Sequence, residues 1–475
     1  MTMKKVSGDL AKNRDYLDRQ LGVGESFDVL YRNVEIGKKN AALYMIDGFC
    51  KDEVMQKLLQ HFIGITKEQM PEDAAEMSRQ LVPYGEVDLC DDLDEICRQV
   101  MSGVTALLLE GYEQGILIDA RTYPARSVGE PEKDKVLRGS KDGFVETIVF
   151  NTALIRRRVR DVRLRMEHVQ VGETKDDVVL CSLAGCRDEQ LYAALKKRLC
   201  ALQVHSLTMA QESLAEVLFD KHWWNPFPLV RYTERPDVAS AHVQEGGIVV
   251  ITDNSPSVML LPVTLMDFVQ EAQDYYFPPL IGTYLRIIRI LIFLLAQFLT
   301  PVWFWLNSNP DLMPEVFRFT LIDGGANISI FWQLIILEIG IDAMKMASLN
   351  TPSSLSSSFS IIGALILGDF AVKAGWFDAE IILYMAFAAL ANFTQPSFEL
   401  GYAIKLVRML MLAVIALFPA YGLWIALALL VLLLISSRAP GTRGYLYPLI
   451  PFDAHACGKM LLRRPLHNKR KDENK

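Results

Sequence analysis

The chain has 475 residues, 51% of them hydrophobic, and a formal net charge of −7. Residues 1–280 hold 33 Lys+Arg against 44 Asp+Glu, whereas residues 281–475 hold 16 against 12 and contain the charge-free stretches Ile290–Pro310, Met346–Gly368, Ile381–Phe398 and Met409–Ser437. Apolar runs of about 18 residues or more are membrane-span candidates, so a wholly soluble enzyme is excluded; the apolar content excludes a collagen-like or disordered chain, and the early residues offer no secretory apolar run.

In chain order, residues 1–27 are polar, with Gly22 and Gly24 close together, and are expected to form a flexible tail. Ala41–Ile46 is an apolar run with the character of a buried strand, ended by Asp47-Gly48. A helical pattern starts at Asp52 and carries Val54, Leu58, Leu59 and Phe62 on one side. Pro71–Asp88 is acidic and reads as irregular, a helix is expected over Asp91–Met101, and Val104–Leu109 with Ile116–Ile118 flank a hairpin turn. The same order recurs: a strand at Val178–Leu183, Gly185, a helix opened by Asp188-Glu189, and a hairpin of Gly247–Ile251 with Val258–Leu261. The expectation is two related α/β subdomains, 28–137 and 138–278, followed by an α-helical polytopic membrane domain, 279–440, and a basic cytosolic tail, 441–475. Identical strand orders are required if the subdomains are duplicates.

Between the two stretches, Arg156, Arg157, Arg158, Arg160, Arg163 and Arg165 crowd an otherwise acidic region. Three readings compete: a solvated or internally paired surface, contact with an acidic face of a neighbouring subunit, and contact with anionic lipid or phosphate. Arg156, Arg157, Arg158 and Arg160 are the candidate subunit interface. Nucleic acid is not expected, because the region is net acidic and lacks interleaved aromatic residues. Trp223-Trp224-Asn225-Pro226 reads as a joint between substructures.

Six spans are expected: Tyr284–Leu306, Ala326–Met346, Ser360–Ala374, Glu380–Phe393, Ala403–Phe418 and Tyr421–Ser437. The alternative is four spans and two short re-entrant segments, since several are below the usual span length. With the N-terminal region inside, Arg286, Arg289, Lys345, Lys405, Arg408 and the basic tail fall on the inner side, and only Arg318 and Lys373 fall on the outer side. Acids in apolar surroundings mark ion paths or watery cavities. Glu338, Asp342 and Asp369, with Lys373, Ser356 and Ser360, are therefore the candidate ion path. Against this, Glu338 and Asp342 share one helix face that can lie in the interface, Asp369 and Lys373 can neutralise each other as an i,i+4 pair, and the small residues near Ser360 also suit close helix packing.

Seven cysteines without a C-x-x-C pair, scattered histidines, and no nucleophile, phosphate-loop or metalloprotease motif point to free thiols, no metal, no cofactor and no enzyme.

Arg138–Asp161, reading RGSKDGFVETIVFNTALIRRRVRD, resembles the hallmark of the GerA-type spore germination proteins, A-subunit class. Pro226-Phe227-Pro228 with Val230–Asp237, Val263–Tyr276 with Phe277-Pro278-Pro279, Phe393–Ala403 and Leu446–Leu449 match in the same order, covering roughly residues 28–455. The Arg138 motif and Gly282–Arg286 are most similar in form to the stage V sporulation protein AF subfamily. The resemblance implies a multi-pass protein of the spore inner membrane, in contact with membrane lipid, with its N-terminal domain and C-terminal tail cytosolic. It also implies a homo-oligomeric ring forming an ion channel, and a small membrane partner or other germination-receptor subunits. The Ser353–Ser358 tract and Asp369 match no signature of that family. The expected function is an oligomeric channel that releases ions during germination; the alternatives are a nutrient-germinant receptor A subunit and a non-conducting assembly scaffold.

Overall fold

The computed structural model describes residues 4–122, 139–219, 224–322, 327–350, 371–437 and 444–463. The chain divides into two compact units, one of Met1–Asp220 with Val230–Val263, the other of Lys221–Leu229, Thr264–Ala439 and Arg443–Lys475.

The first unit contains the same arrangement twice. The first copy runs α1 (Leu10–Leu21), β1 (Val29–Ile36), β2 (Lys39–Ile46), α2 (Asp52–Ile63), α3 (Ala74–Gln80), β3 (Val87–Cys90), α4 (Leu93–Met101), β4 (Thr105–Leu109) and β5 (Gly115–Ile118). The second runs α5 (Ile148–Arg158), β6 (Leu164–Val171), β7 (Asp176–Leu183), α6 (Glu189–Ala201), α7 (Gln211–Leu218), β8 (Arg231–Thr233), α8 (Pro236–Gln244), β9 (Ile248–Thr252) and β10 (Val258–Leu261). The strand orders are β1-β2-β4-β5-β3 and β6-β7-β9-β10-β8, which is one order written twice, and the described pairings are antiparallel.

The repetition reaches single hydrogen bonds. Buried Asn13 accepts from the Ser7 amide at 3.0 Å and donates to the Ser7 carbonyl at 2.6 Å. Buried Asn151 does the same with Val145, at 2.8 and 2.5 Å. The Gly111 amide donates to the Gly8 carbonyl as the Asn254 amide donates to that of Glu146, both at 2.8 Å. The first turn of α1 is closed by Glu110, through the Leu10 amide, and that of α5 by Asp253, through the Ile148 amide. Helix N-termini leave such amides without intrahelical partners, and a carboxylate there also meets the positive end of the helix dipole.

The expected tail is thus corrected. Asp9 caps α1, Gly22 ends it in the left-handed conformation, and Leu10, Leu17 and Leu21 are buried against the first sheet. The supposedly irregular Pro71–Asp88 contains α3 and the start of edge strand β3. Alternate residues of β2 and β4 serve two cores: Ala42, Tyr44, Ala106 and Leu108 pack with α1 and α4, while Leu43, Leu107 and Leu109 pack with α2 and α3. A sheet covered on both faces needs apolar residues in succession. That is why its central strands stand out as runs in the sequence.

The second unit is helical: α9 (Gln273–Tyr276), α10 (Pro279–Ser308), α11 (Ile330–Asn350), α12 (Ala379–Phe393), α13 (Phe398–Leu417), α14 (Gly422–Ser436) and α15 (Ala454–Leu461). Helices α10 and α13 are long and apolar enough to cross a membrane; α12 and α14 are apolar but shorter. Trp305 and Asn309, at the end of α10, donate to the carbonyls of Ala420 and Pro419 after α13, so these two helices run parallel. Gln333 and Asp378 bond twice at 2.9 Å, joining the starts of α11 and α12. Asn225, beside the tryptophan-proline segment, belongs to this unit and donates to the Leu433 carbonyl and the hydroxyls of Ser436 and Ser437. The expected third span lies mostly outside the described residues.

Candidate functional site: buried charge among apolar helices

Helices α10, α11 and α13 meet around four charges. Glu338 on α11 and Lys405 and Arg408 on α13 are 1%, 3% and 1% exposed. Arg408 grips Oε1 of Glu338 through Nε at 2.7 Å and Nη2 at 2.6 Å, and its Nη1 donates to the Ala296 carbonyl of α10. Lys405 lies 3.2 Å from the Glu338 carboxylate, donates to the Glu338 carbonyl at 2.7 Å, and reaches Asp342 at 2.7 Å. Spacing explains the convergence. Glu338 and Asp342 are four apart and Lys405 and Arg408 three apart, so each pair projects from one face of its helix. Two carboxylates and two cations sum to zero. Burying Glu338, Lys405 and Arg408 is tolerable only because each has partners; removing one of these three would leave a bare charge among apolar side chains.

Lys405 and Arg408, expected on the inner side near the start of the fifth span, lie within α13 and face α11. Among the described residues, the Glu338 carboxylate is enclosed by two cations, Arg408 and Lys405. Asp342 differs: its side chain is 34% exposed, the reachable end of the chain of contacts. Lys373 is exposed at the start of the segment leading to α12. Ser356, Ser360 and Asp369 lie outside the described residues.

Near the start of α10, Arg289 bonds Asp274 at 2.8 Å and Glu271 at 2.7 Å, and Arg286 lies 3.5 Å from fully buried Asp274. Gly282 is required there, since a Cβ would meet the Asp274 carbonyl. At the end of α11, Lys345 sits 4.5 to 5.8 Å from the ring centres of Tyr402, Phe398 and Phe393. Such a cation among aromatic rings suits the headgroup level of a bilayer.

The arginine block separates into distinct roles. Arg156, expected at a subunit interface, is 0% exposed. It forms a two-pronged pair with Asp28 at 2.8 and 2.9 Å and bonds Ser26 at 3.1 Å and the Leu164 carbonyl at 3.3 Å, so it joins the two repeats of one chain. Arg158 turns back to Asp142 and Ser140. Burial alone would raise the Asp142 carboxyl, but these bonds outweigh it and hold it below the usual carboxylate range. Arg157, Arg160 and Arg163 are exposed. Arg160 borders an open cleft with Tyr84, Gly85, Glu86, Asp119 and Arg121. Composition shows the cluster, but nothing local distinguishes Arg156 from its neighbours. Its counter-ion is 128 residues away in the chain.

Comparison with known proteins finds relatives over nearly the whole chain. The sequence model of the Bacillus/Clostridium GerA spore germination protein family matches residues 15–474. Stage V sporulation protein AF of Bacillus subtilis (strain 168) is 38% identical, over 97% of this chain and 93% of that protein. Spore germination protein KA of the same organism is 26% identical, over 97% and 85%. The crystal structure of the N-terminal domain of the A subunit of the Bacillus megaterium spore germinant receptor GerK3 is similar at a TM-score of 0.43 and 24% identity, covering 55% of this chain and 97% of that one. By its nearly full-length match, the chain belongs to the GerA spore germination protein family.

Proposed function

We propose that this protein is a non-enzymatic subunit of an oligomeric ion channel in the spore inner membrane, releasing ions during germination. The observation that supports the reading most is the Glu338–Arg408–Lys405–Asp342 assembly within apolar helices. Ionisable groups at such depth serve a path or a clamp. Here three members act as the clamp, and partly exposed Asp342 is the group placed to meet an ion. The N-terminal unit and the basic tail face the cytosol in this reading, and copies assemble as a ring. Its partners are lipid, further copies of itself, and a small membrane protein or other germination-receptor subunits.

The test is reconstitution of the purified full chain in liposomes loaded with potassium and an ion-sensitive dye. Flux is expected from the oligomer, and Asp342→Asn is expected to alter conductance or selectivity while leaving the chain folded. An intact oligomer that passes no ion overturns conduction and favours a scaffold.

A further inference from the structure

The two repeats do not use their equivalent faces equally. In the first, a socket formed by Gly48, Asp28 and Met101 receives helix α5 of the second. The position of a Gly48 Cβ is 3.2 Å from Val149 and 3.3 Å from Ala153; Arg156 pairs with Asp28 and lies 3.4 Å from the Met101 sulfur. Hydrogen bonding identifies the counterpart in the second repeat. The Ala184 amide donates to the Arg163 carbonyl at 2.9 Å as the Asp47 amide donates to that of Asp28 at 2.8 Å, so Arg163 stands where Asp28 stands. Gly185 likewise replaces Gly48, each with positive φ, at 80° and 76°. Among the described residues this second socket is uncovered: Gly185 has no described atom within 4 Å of where a Cβ would stand, Cys186 and Gln244 (the last residue of α8, as Met101 is of α4) are exposed, and the Arg163 side chain, with Asp161 and Cys186 as its present neighbours, is 54% exposed.

Helix α1 is the counterpart of α5, aligned through Asn13 and Asn151. Ala11, Asp15 and Asp18 therefore occupy the places of Val149, Ala153 and Arg156. Ala11 and Asp15 are exposed, and the Asp18 side chain is 33% exposed, with Tyr44 and Arg14 as present neighbours. In the internal joint the helix brings an arginine and the socket an aspartate. On the uncovered faces the helix brings Asp18 and the socket offers Arg163. The reversal keeps the two joints apart, since Asp18 in the first socket would meet Asp28, and Arg156 in the second would meet Arg163.

We infer that helix α1 of one copy docks in the Gly185–Arg163 socket of the next, pairing Asp18 with Arg163 and repeating between chains the joint that α5 makes within one. Such a head-to-tail contact uses different faces of the two partners, so it produces a ring when its rotation closes. The inference rests on the reading that copies assemble, and not on conduction.

The test uses the full chain in detergent or nanodiscs, with mass photometry as readout. Asp18→Arg and Arg163→Asp are each expected to reduce the oligomer to monomer mass with an unchanged thermal unfolding profile, and the double variant to restore the oligomer. If either single variant unfolds, Ala11→Cys provides the second measurement. A short bifunctional maleimide should join the thiol introduced on α1 to native Cys186 of another copy, mapped by mass spectrometry. An oligomer that persists in both single variants, or the absence of that cross-link from an intact oligomer, overturns this interface alone. A monomeric unsubstituted chain overturns assembly as well.

Discussion

Arg156 and Arg408 are both enclosed guanidinium groups that join distant parts of the chain, yet they are satisfied differently. Arg156 needs one acid, Asp28, because Ser26, the Leu164 carbonyl and the Met101 sulfur take its remaining hydrogens. Arg408 lies among apolar helices, where most backbone carbonyls are spent within their own helix. It finds one, Ala296, and depends on Glu338, which is also claimed by Lys405. The difference shows what each surrounding supplies. An α/β unit has loops and strand starts to offer as polar partners, so a single ion pair suffices. A helical bundle must bring its own counter-ions, so charges come as complementary pairs at helical spacing.

The largest effect is expected where no substitute partner exists. Arg408→Leu strands Glu338 with Lys405 alone and should lower stability by about 3–5 kcal/mol. Thermal unfolding of the full chain in detergent checks it, and a near-normal midpoint would show that Lys405 alone suffices. Arg156→Leu is expected in the same range but smaller, because Asp28 keeps the Ser26 hydroxyl at 2.8 Å. The pair Arg156→Leu with Asp28→Asn should recover part of the loss.

Next come the matched asparagines. Asn13→Ala and Asn151→Ala each leave a local amide and carbonyl without partners, at about 1–3 kcal/mol. Asn151→Ala should cost more, because Asn151 also donates to the Ser255 carbonyl at 3.4 Å and its helix is covered on both sides. Equal losses would mean that the second repeat relaxes as freely as the first.

The smallest effect concerns Asp142. Its carboxyl is held below the ordinary value by Arg158 and Ser140. The link therefore contributes fully above the unfolded value of about 3.9, and is lost as pH falls through the lower folded one. Unfolding midpoints from pH 5 downward should decline less in Asp142→Asn than in the unsubstituted chain. Parallel declines would remove Asp142 as a contributor.

Much of the fold is legible from local pattern. Central strands β2, β4, β7 and β9 appear as apolar runs, the helices opened near Asp52 and Asp188 by their acidic starts and apolar spacing, and α10, α12, α13 and α14 by apolarity. The duplication is readable from Gly48 and Gly185, although the helix starts align one residue away from the Asp52–Asp188 match. Counting from those glycines, Asp52 corresponds to Glu189, with Asp188 as the cap. Edge strands β3 and β8 are not legible, being short and half exposed, and α1 is hidden by its charged outer face. The pairings of Arg156, Lys405 and Arg408 are not legible either. Charge alone does not say which face of which element a residue occupies.

Local physics alone settles where this chain is apolar, where helices begin, and that its two ends differ in charge, because these depend on neighbours a few residues away. Only the tertiary structure decides that one arginine of a dense block becomes a joint while others remain on the surface, and that Glu338 is sealed while Asp342 is reachable. Those outcomes depend on groups 67 to 128 residues distant in sequence, and on the cost of burying a charge until its partner arrives.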